Sequence, residues 1–502
     1  MYAIDLGTVN SLIACWKDIL KKGVCFENDE GGYLTASAVC FHENGEVTVG
    51  NAARDYKMLE PDRVAMYFKR LMGESTVGIT VDGKSYSPQQ LSAWVLKKLK
   101  EDAKREGEIV ENVVITVPAY FSNNSRQATY EAGSLAGLNV KAVLDEPSAA
   151  ILNASTISDL DGKLVLIFDF GGGTLDCAIA LVEKDKITIL VICGNNNLGG
   201  INMNKLIIKK IKATQLKGMT LDASDEQELA LKVEMAKCIL SEKEKTSFTV
   251  GTTDDRVEIV LTREDIDECI QPIMEQVRSV LNETKEQAAG KSIFKVDKIV
   301  FAGGTTKMPQ VKKVVQEVFP DVEIIAKDVE RAVANGAALY AKALQDGNAK
   351  SLNNDVEVKS LKRATSRSYG VAAYCGDVLK ICNMIYKNDT LPITIDSTFA
   401  TRYDNQKVVG IDVYESTSLN SREELEKGQL VGTCTLQIAK ELPKSTPFTV
   451  TFTLEEDGTL HVRGYEKQGN TEVKTTMKTS VLLTEEDFSI QKEQVEELLL
   501  LD

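Results

Sequence analysis

Two short stretches constrain this chain more than any others: Ile4-Asp5-Leu6-Gly7-Thr8 and Phe168-Asp169-Phe170-Gly171-Gly172-Gly173-Thr174. Each sets an aspartate near the end of an apolar strand, follows it with glycine and threonine, and runs into a second apolar strand, residues 12–14 in one case and 177–181 in the other. A strand–turn–strand repeated in this way predicts two similar lobes facing one cleft. Glycine in a tight turn lets backbone N–H groups approach an anion without a Cβ in the way, and the threonine hydroxyl adds a donor. Polyphosphate suits that chemistry. The aspartates would repel phosphate directly, so their expected task is to hold Mg2+ or its water shell.

Periodicity extends this reading along the chain. Segments 2–16, 112–118 and 163–182 alternate in the strand manner, while 88–105, 123–136, 203–216 and 226–243 carry helical spacing, so residues 1–348 predict a mixed α/β domain. Residues 349–367 turn polar and irregular and read as a linker. From 368 to 480, short strands separated by the turn signals KNDT, TRYDNQ, EEDG and KQGN predict an all-β module. In the remainder, 481–502, Thr-Glu-Glu-Asp at 484–487 signals the start of a short helix.

Composition narrows the chemistry. Against 74 Asp plus Glu stand only 59 Lys plus Arg, a net charge of −15 that argues against nonspecific binding to nucleic acid or an anionic membrane. The basic run Lys97, Lys98, Lys100, Lys104, Arg105 reads as a solvated helix face. Ten cysteines occur singly with no C-x-x-C pair, as expected of buried, reduced thiols, and no apolar run is long enough to span a membrane. A cytoplasmic location is the expectation. The two histidines, His42 and His461, lie near no ligand-spaced cluster, so neither a zinc site nor a Ser–His–Asp triad is expected. Gly78 to Ser85 satisfies the P-loop pattern literally. Its context denies it, because Ile79-Thr80-Val81 is strand-like, Asp82-Gly83 is a hairpin turn signal, and Pro88 delays the helix.

With these residues in place, a family resemblance becomes specific. IDLGTVNS (4–11), FKRLMG (68–73), VVITVPAYFSNNSRQAT (113–129), LDEPSAA (144–150), FDFGGGTLD (168–176), NLGG (197–200), FAGGTTKMP (301–309) and AVANGAA (332–338) resemble, in order and spacing, the 70-kDa heat-shock chaperones, the DnaK-like proteins. The similarity continues through TLP (390–392), DNQKVVGIDVYE (404–415) and EEDGTLHV (455–462). The resemblance implies an actin-like, ribonuclease H-like α/β ATPase domain with two lobes, then a β-sandwich peptide-binding domain. ATP or ADP with Mg2+ would lie in the cleft. Lys69, Glu146, Asp169, Thr174 and Asp5 match the catalytic positions, with Asp5 and Asp169 orienting Mg2+ through water. Gly7, Thr8, Val9, Asn10, Gly171, Gly172, Gly173 and Asp176 match the phosphate side; Gly199, Gly200, Glu234, Lys237, Ser241, Gly303, Gly304, Thr305 and Lys307 match the nucleoside side. Pro118 and Arg126 match an interdomain relay, and Val371, Tyr374, Phe399, Arg402, Val409 and Ile411 match the peptide cleft.

The implied function is an ATP-dependent chaperone for extended apolar segments of unfolded or nascent polypeptide, assisted by a J-domain co-chaperone and a nucleotide-exchange factor. The other reading is a regulatory or ribosome-associated member that binds ATP and a J-domain partner with little cycling of its own. An actin-like sugar kinase is disfavoured, since the β module has no place in it. Departures from the family pattern shape further expectations. Val9 replaces a threonine of the first turn, Cys238 stands where an arginine stacks on adenine, and Lys307 replaces another arginine, so weaker nucleotide affinity is expected. The apolar linker is replaced by VEVKSLKRA, whose Glu357, Lys359, Lys362 and Arg363 predict rare docking and weak coupling. The helical lid is reduced to the segment after Thr484, which predicts fast peptide release, and the closing run Leu498 to Asp502 is unexplained.

Overall fold

In the computed structural model, the residues described are 1–74, 76–251, 256–346, 359–438, 441–456, 458–477, 483–497 and 499–500. Two sheets with the same strand order dominate the first part. One runs Asn139–Asp145, Asn112–Val117, Tyr2–Asp5, Asn10–Lys17, Lys22–Cys25; the other runs Glu323–Ile325, Lys298–Ala302, Lys163–Phe170, Leu175–Val182, Lys186–Asn195. In both, the first three strands are parallel and the rest antiparallel. The repeated Asp-Gly-Thr turns thus belong to a repeated sheet, and both turns fall between the same two strands of that order.

Helices Glu146–Ile157 and Ala332–Gln345 pack in the core shared by the two sheets, among Ala3, Ala14, Val165 and Ile167. Their facing residues are small, and a Cβ on Gly336 would overlap the carbonyl oxygen of Ala149. AVANGAA is therefore a packing requirement: it brings the helix axes, and the lobes they belong to, close together. The P-loop-like stretch forms the hairpin Ile79–Val81 and Lys84–Tyr86, with Asp82 and Gly83 both at positive φ, as a tight hairpin turn requires. Ser87 then caps helix Pro88–Arg105 in a reciprocal capping box with Gln90. The basic face of this helix is less solvated than expected. Lys98 is buried against Asp102 and Asp29, and Lys97 donates to the carbonyl of Val495.

The later residues form a β-sandwich. Its five-stranded sheet runs Arg422–Glu424, Val378–Ile385, Ser368–Cys375, Val408–Ser416, Gly428–Gln437, and its four-stranded sheet runs Ile393–Ala400, Pro447–Leu454, Leu460–Glu466, Thr471–Met477. Alternate residues from both sheets, including Val413, Leu436, Val450 and Phe452, fill the space between them.

The linker differs from expectation. Residues 347–358, Glu357 among them, lie outside the described residues. Beyond them Ser360–Lys362 adds a parallel strand to the edge at Lys186–Thr188, and Leu361 and Ala364 join the central core. Two of the charges that argued against docking find partners, and Lys362 stays exposed. Lys359 donates to the carbonyls of Glu183 and Lys184, and Arg363 reaches the carboxylate of Asp145 at 2.8 Å, where Arg126 also binds. A buried charge opposes docking far less when it is paired than when it is alone.

The sandwich also touches the first domain directly. Arg367 donates to the Tyr120 carbonyl and stacks over its ring, Lys387 pairs with Glu283 at 3.0 Å, and the Asn388 side chain receives the N–H of Ile192 at 2.7 Å. After the sandwich the chain returns to the first lobe. Helix Glu485–Glu497, with Thr484 receiving the N–H of Asp487 as its cap, buries Val495 completely against the first-lobe core. Ser87 and Gln90 donate to Gln491 and Gln494. Of the closing leucine run, Leu498, Leu501 and Asp502 lie outside the described residues, while Leu499–Leu500 pairs in parallel with Glu46 and Val47.

Because Asp145 is the buried counter-charge for two arginines, Asp145→Ala should cost about 3–5 kcal/mol, the usual penalty for orphaning buried charge. Arg363→Ala, which leaves Arg126 in place, should cost less and act locally, raising hydrogen exchange at residues 360–362. Unchanged exchange there would show that other contacts hold the strand.

Candidate active site

The cleft between the lobes is a cavity of about 760 Å3. Asp5 ends one strand opposite Thr116, and Asp169 stands at the equivalent place opposite Ala302. The turns that follow touch one another. A Cβ on Gly172 would overlap Val9 and one on Gly173 would overlap Thr8, so glycine is required where the second turn meets the first. Val9, read from sequence as a lost donor, is thus also a packing contact across the cleft. Ser37 donates to the Gly7 carbonyl at 2.7 Å and Gly7 donates to Ser11 at 3.1 Å, bracing the first turn. Asn10, Thr174 and Gly171 line the same space.

Lys69 enters from the short helix Phe68–Leu71 and Glu146 from the first residue of Glu146–Ile157. Their 2.7 Å ion pair is almost wholly buried, with the lysine also over the Phe121 ring. Burial and the nearby Glu146 charge push the Asp5 carboxyl up to about 7, against the pull of Lys69. The same two causes push Asp169 well above the usual carboxylate range, and neighbouring Asp176 and Asp5 add to it. One lysine is too little positive charge for Asp5, Asp169 and Glu146. Hard carboxylate oxygens clustered with a charge deficit fit a hydrated Mg2+, which takes few protein ligands and keeps its waters.

On the other side, helix Gly200–Thr214 starts against the second turn, the N–H groups of Gly200 and Ile201 donating to the carbonyls of Gly171 and Gly172 at 3.2 and 2.9 Å, so that its N-terminus braces the turn that borders the cavity. Gly199 caps this helix and abuts the Gly172 carbonyl. Glu234, Lys237 and Ser241 project from the end of helix Ala223–Leu240 and its cap. Lys237 is tied to Asn204 at 2.7 Å, and Lys307 pairs with Glu330 at 2.6 Å. Gly303, at φ +80°, carries the chain past Asp169 where a Cβ would crowd its carboxylate; Gly304 and Thr305 follow, and Thr305 donates to the Gly171 carbonyl. Cys238, expected to be buried, is exposed and lines the cavity, and Cys269, Cys375 and Cys382 are half-buried; all ten thiols are free.

One residue matched to the phosphate side lies elsewhere. Asp176 is fully buried, receives the Tyr120 N–H at 3.0 Å, and is pushed up to about 8 by burial and by Glu146. It supports the segment after Pro118 rather than the cavity. Arg126, matched to the relay, bonds the Ala119 carbonyl and Asp145. Sequence reasoning passed over Arg70, which reaches from the first lobe to the Gly173 carbonyl and to Asn202 at 2.6 Å. Its only signal was adjacency to Lys69.

The peptide-cleft matches divide. Tyr374 is exposed, and the Arg402 guanidinium stacks 3.5 Å over its ring while pairing with Asp377. Phe399 is half-buried and stacks on Phe448. Val371, Val409 and Ile411 lie in the sandwich core, 3%, 7% and 0% exposed, which leaves them little surface to offer a ligand.

Two matched lobes, with glycine turns, paired aspartates and a lysine–glutamate pair in the cleft, define a nucleotide-binding class of protein. The sequence profile described as Hsp70 protein matches residues 1–499, and the chain belongs to that family. Members combine an actin-like two-lobed ATPase with a β-sandwich, bind ATP or ADP with Mg2+, and bind unfolded polypeptides and co-chaperones. Among the described residues no helix is long and apolar enough to cross a membrane.

Since Arg70 joins the lobes by hydrogen bonds from a charged donor, Arg70→Ala should loosen the closed cleft. We expect ADP to dissociate roughly tenfold faster, the equivalent of one such bond, measured by chase of a fluorescent nucleotide. An unchanged rate would mean the lobes are held by other contacts.

Proposed function

We propose that this chain binds Mg2+–ATP between its lobes, hydrolyses it slowly, and uses nucleotide state to control the binding of extended apolar polypeptide by its β-sandwich. The observation that carries the first part is the buried Lys69–Glu146 pair within a ring of Asp5, Asp169, Thr8 and Thr174. Phosphoryl transfer needs positioning and charge stabilisation rather than a strong base. Lys69 supplies positive charge near the transferred phosphoryl group, Glu146 orients water, and the glycine turns offer backbone N–H donors. Bound Mg2+ would neutralise phosphate charge, with Asp5 and Asp169 holding its water shell. For the second part, the docked strand Ser360–Lys362 and the Asp145–Arg363 contact give the sandwich a physical connection to the residue next to Glu146.

The regulatory reading draws on a specific observation as well. Val409 and Ile411 are buried in the sandwich core, and Arg402 stacks on Tyr374. A member held in this arrangement would bind ATP and a J-domain partner while engaging little polypeptide.

Lys69→Ala should lower single-turnover hydrolysis by about 100-fold or more, as removal of one charge-stabilising donor commonly does, while ADP affinity changes little. Normal turnover in this variant would remove Lys69 from the reaction. For the polypeptide, anisotropy of a labelled leucine-rich peptide with the whole chain should show saturable binding. Arg402→Ala should raise its off-rate, because affinity differences in one interface lie mostly in dissociation. Absence of saturable binding at high protein concentration would favour the regulatory reading.

A further inference from the structure

Cys40 is the third residue of the buried strand Ala38–Phe41, and His42 follows just past the strand's end, where its N–H still pairs with the Glu46 carbonyl at 2.9 Å, so the two-residue period puts both on one face. Glu60 comes to that side from the turn after helix Asn51–Tyr56. One ligand atom from each of the three lies within 4.8 Å of the others. Sequence spacing hid this group, because Glu60 is far along the chain and Cys-x-His alone is a weak signal.

Three further observations single out these residues. Among the described residues, Oε2 of Glu60 is buried with no hydrogen-bond partner, and Arg63 stands 3.9 Å away, beyond bonding range. That arginine is committed to Asp82 at 2.8 Å. His42 is held in orientation by Thr48 Oγ1, 2.7 Å from its Nε2, and by the edge-on ring of Tyr56; with Nε2 engaged, Nδ1 is the ring nitrogen left for a ligand. The other nearby cation, Lys57, is occupied by the carbonyls of Pro61 and Val64.

We propose that Cys40, His42 and Glu60 form a binding site for a borderline-soft divalent cation of the Zn2+ class. Sulfur, imidazole nitrogen and carboxylate oxygen are the donor set that Zn2+ favours over Mg2+ or Ca2+. Tetrahedral coordination needs ligand atoms roughly 3.3–3.8 Å apart, given Zn–ligand bonds of about 2.0–2.3 Å. Side-chain rotation at half-exposed Glu60 can close that gap. Three protein ligands leave a fourth position for water. Burial pushes the Cys40 thiol up to about 11, so binding would release its proton to solvent as the metal–thiolate bond forms. Thr48, bonded to the ring nitrogen opposite the metal, acts as a positioning residue. The site is separate from the nucleotide carboxylates and pins the turn at 58–60, whose Met58 carbonyl receives the Ser224 hydroxyl from the other lobe.

The test uses the whole chain, stripped with chelator and titrated with Co2+ alone, followed by Zn2+ competition. A near-ultraviolet thiolate-to-Co2+ band should appear at one equivalent and disappear on Zn2+ addition. Cys40→Ser should abolish the band although nine other cysteines remain. Thr48→Val should weaken binding by about 10–100-fold, as loss of an orienting partner does. Glu60→Gln, at a half-exposed position that spares the core, should weaken Co2+ binding while leaving the melting temperature of the metal-free protein near that of the parent. The proposal is overturned if the unmodified chain gives no band with excess Co2+, or if the band survives in both Cys40→Ser and Glu60→Gln.

Discussion

The carboxylate of Asp145 lies between two guanidinium groups that reach it from distant parts of the chain, Arg126 in helix Asn123–Leu135 and Arg363 just beyond strand Ser360–Lys362. Burial alone would favour its neutral form, but the two arginines hold it below the usual carboxylate range. Such a cluster has little tolerance, because any one charge left alone in the interior is costly. The consequence reaches both functional regions. Asp145 precedes Glu146, whose carboxylate faces the cleft, and Arg363 leads into the sandwich, so the backbone between two adjacent residues separates the linker contact from the nucleotide contact. A shift of helix Glu146–Ile157 by a fraction of a turn would have to move both.

The cleft has the opposite electrical character. Asp145 has more positive partners than it needs, whereas among the described residues Asp5, Asp169 and Glu146 share Lys69. Geometry of this kind is costly in the free protein and is relieved by added positive charge, so the cleft carries its own electrostatic preference for a cation-bound nucleotide. The glycine turns serve the same end. Their backbones are pressed together tightly enough to exclude a side chain at Gly172 and Gly173, which keeps both turns close around the cavity.

Much of this architecture was legible in the residues. The paired Asp-Gly-Thr turns fell in equivalent strands because period-2 patterning and glycine placement are local signals, and the hairpin at 79–86 was readable from Asp82-Gly83 for the same reason. What escaped were facts about partners far away in sequence. Arg363 looked like an obstacle to docking because Asp145, which neutralises it, is invisible to any local reading. Arg70 drew no notice, and Asp176 looked like a phosphate neighbour, until the fold showed what each one touches. Cys40, His42 and Glu60 were scattered letters for the same reason. Val409 and Ile411 show the limit of alternation as a guide: strand spacing puts them on one face but does not say whether that face is open.

Strands Ser360–Lys362 and Leu499–Leu500 each lie along the margin of a sheet, one beside Lys186–Thr188 and the other beside Glu46 and Val47. A bare sheet margin presents a row of unmet N–H and C=O groups that any extended chain can satisfy. With Ser360–Lys362 and Leu499–Leu500 the protein covers two longer margins by very short edge strands, which offer less of a template for adhesion between copies. Were either segment lifted, the same margin would become available, and the tendency to self-associate would rise with concentration.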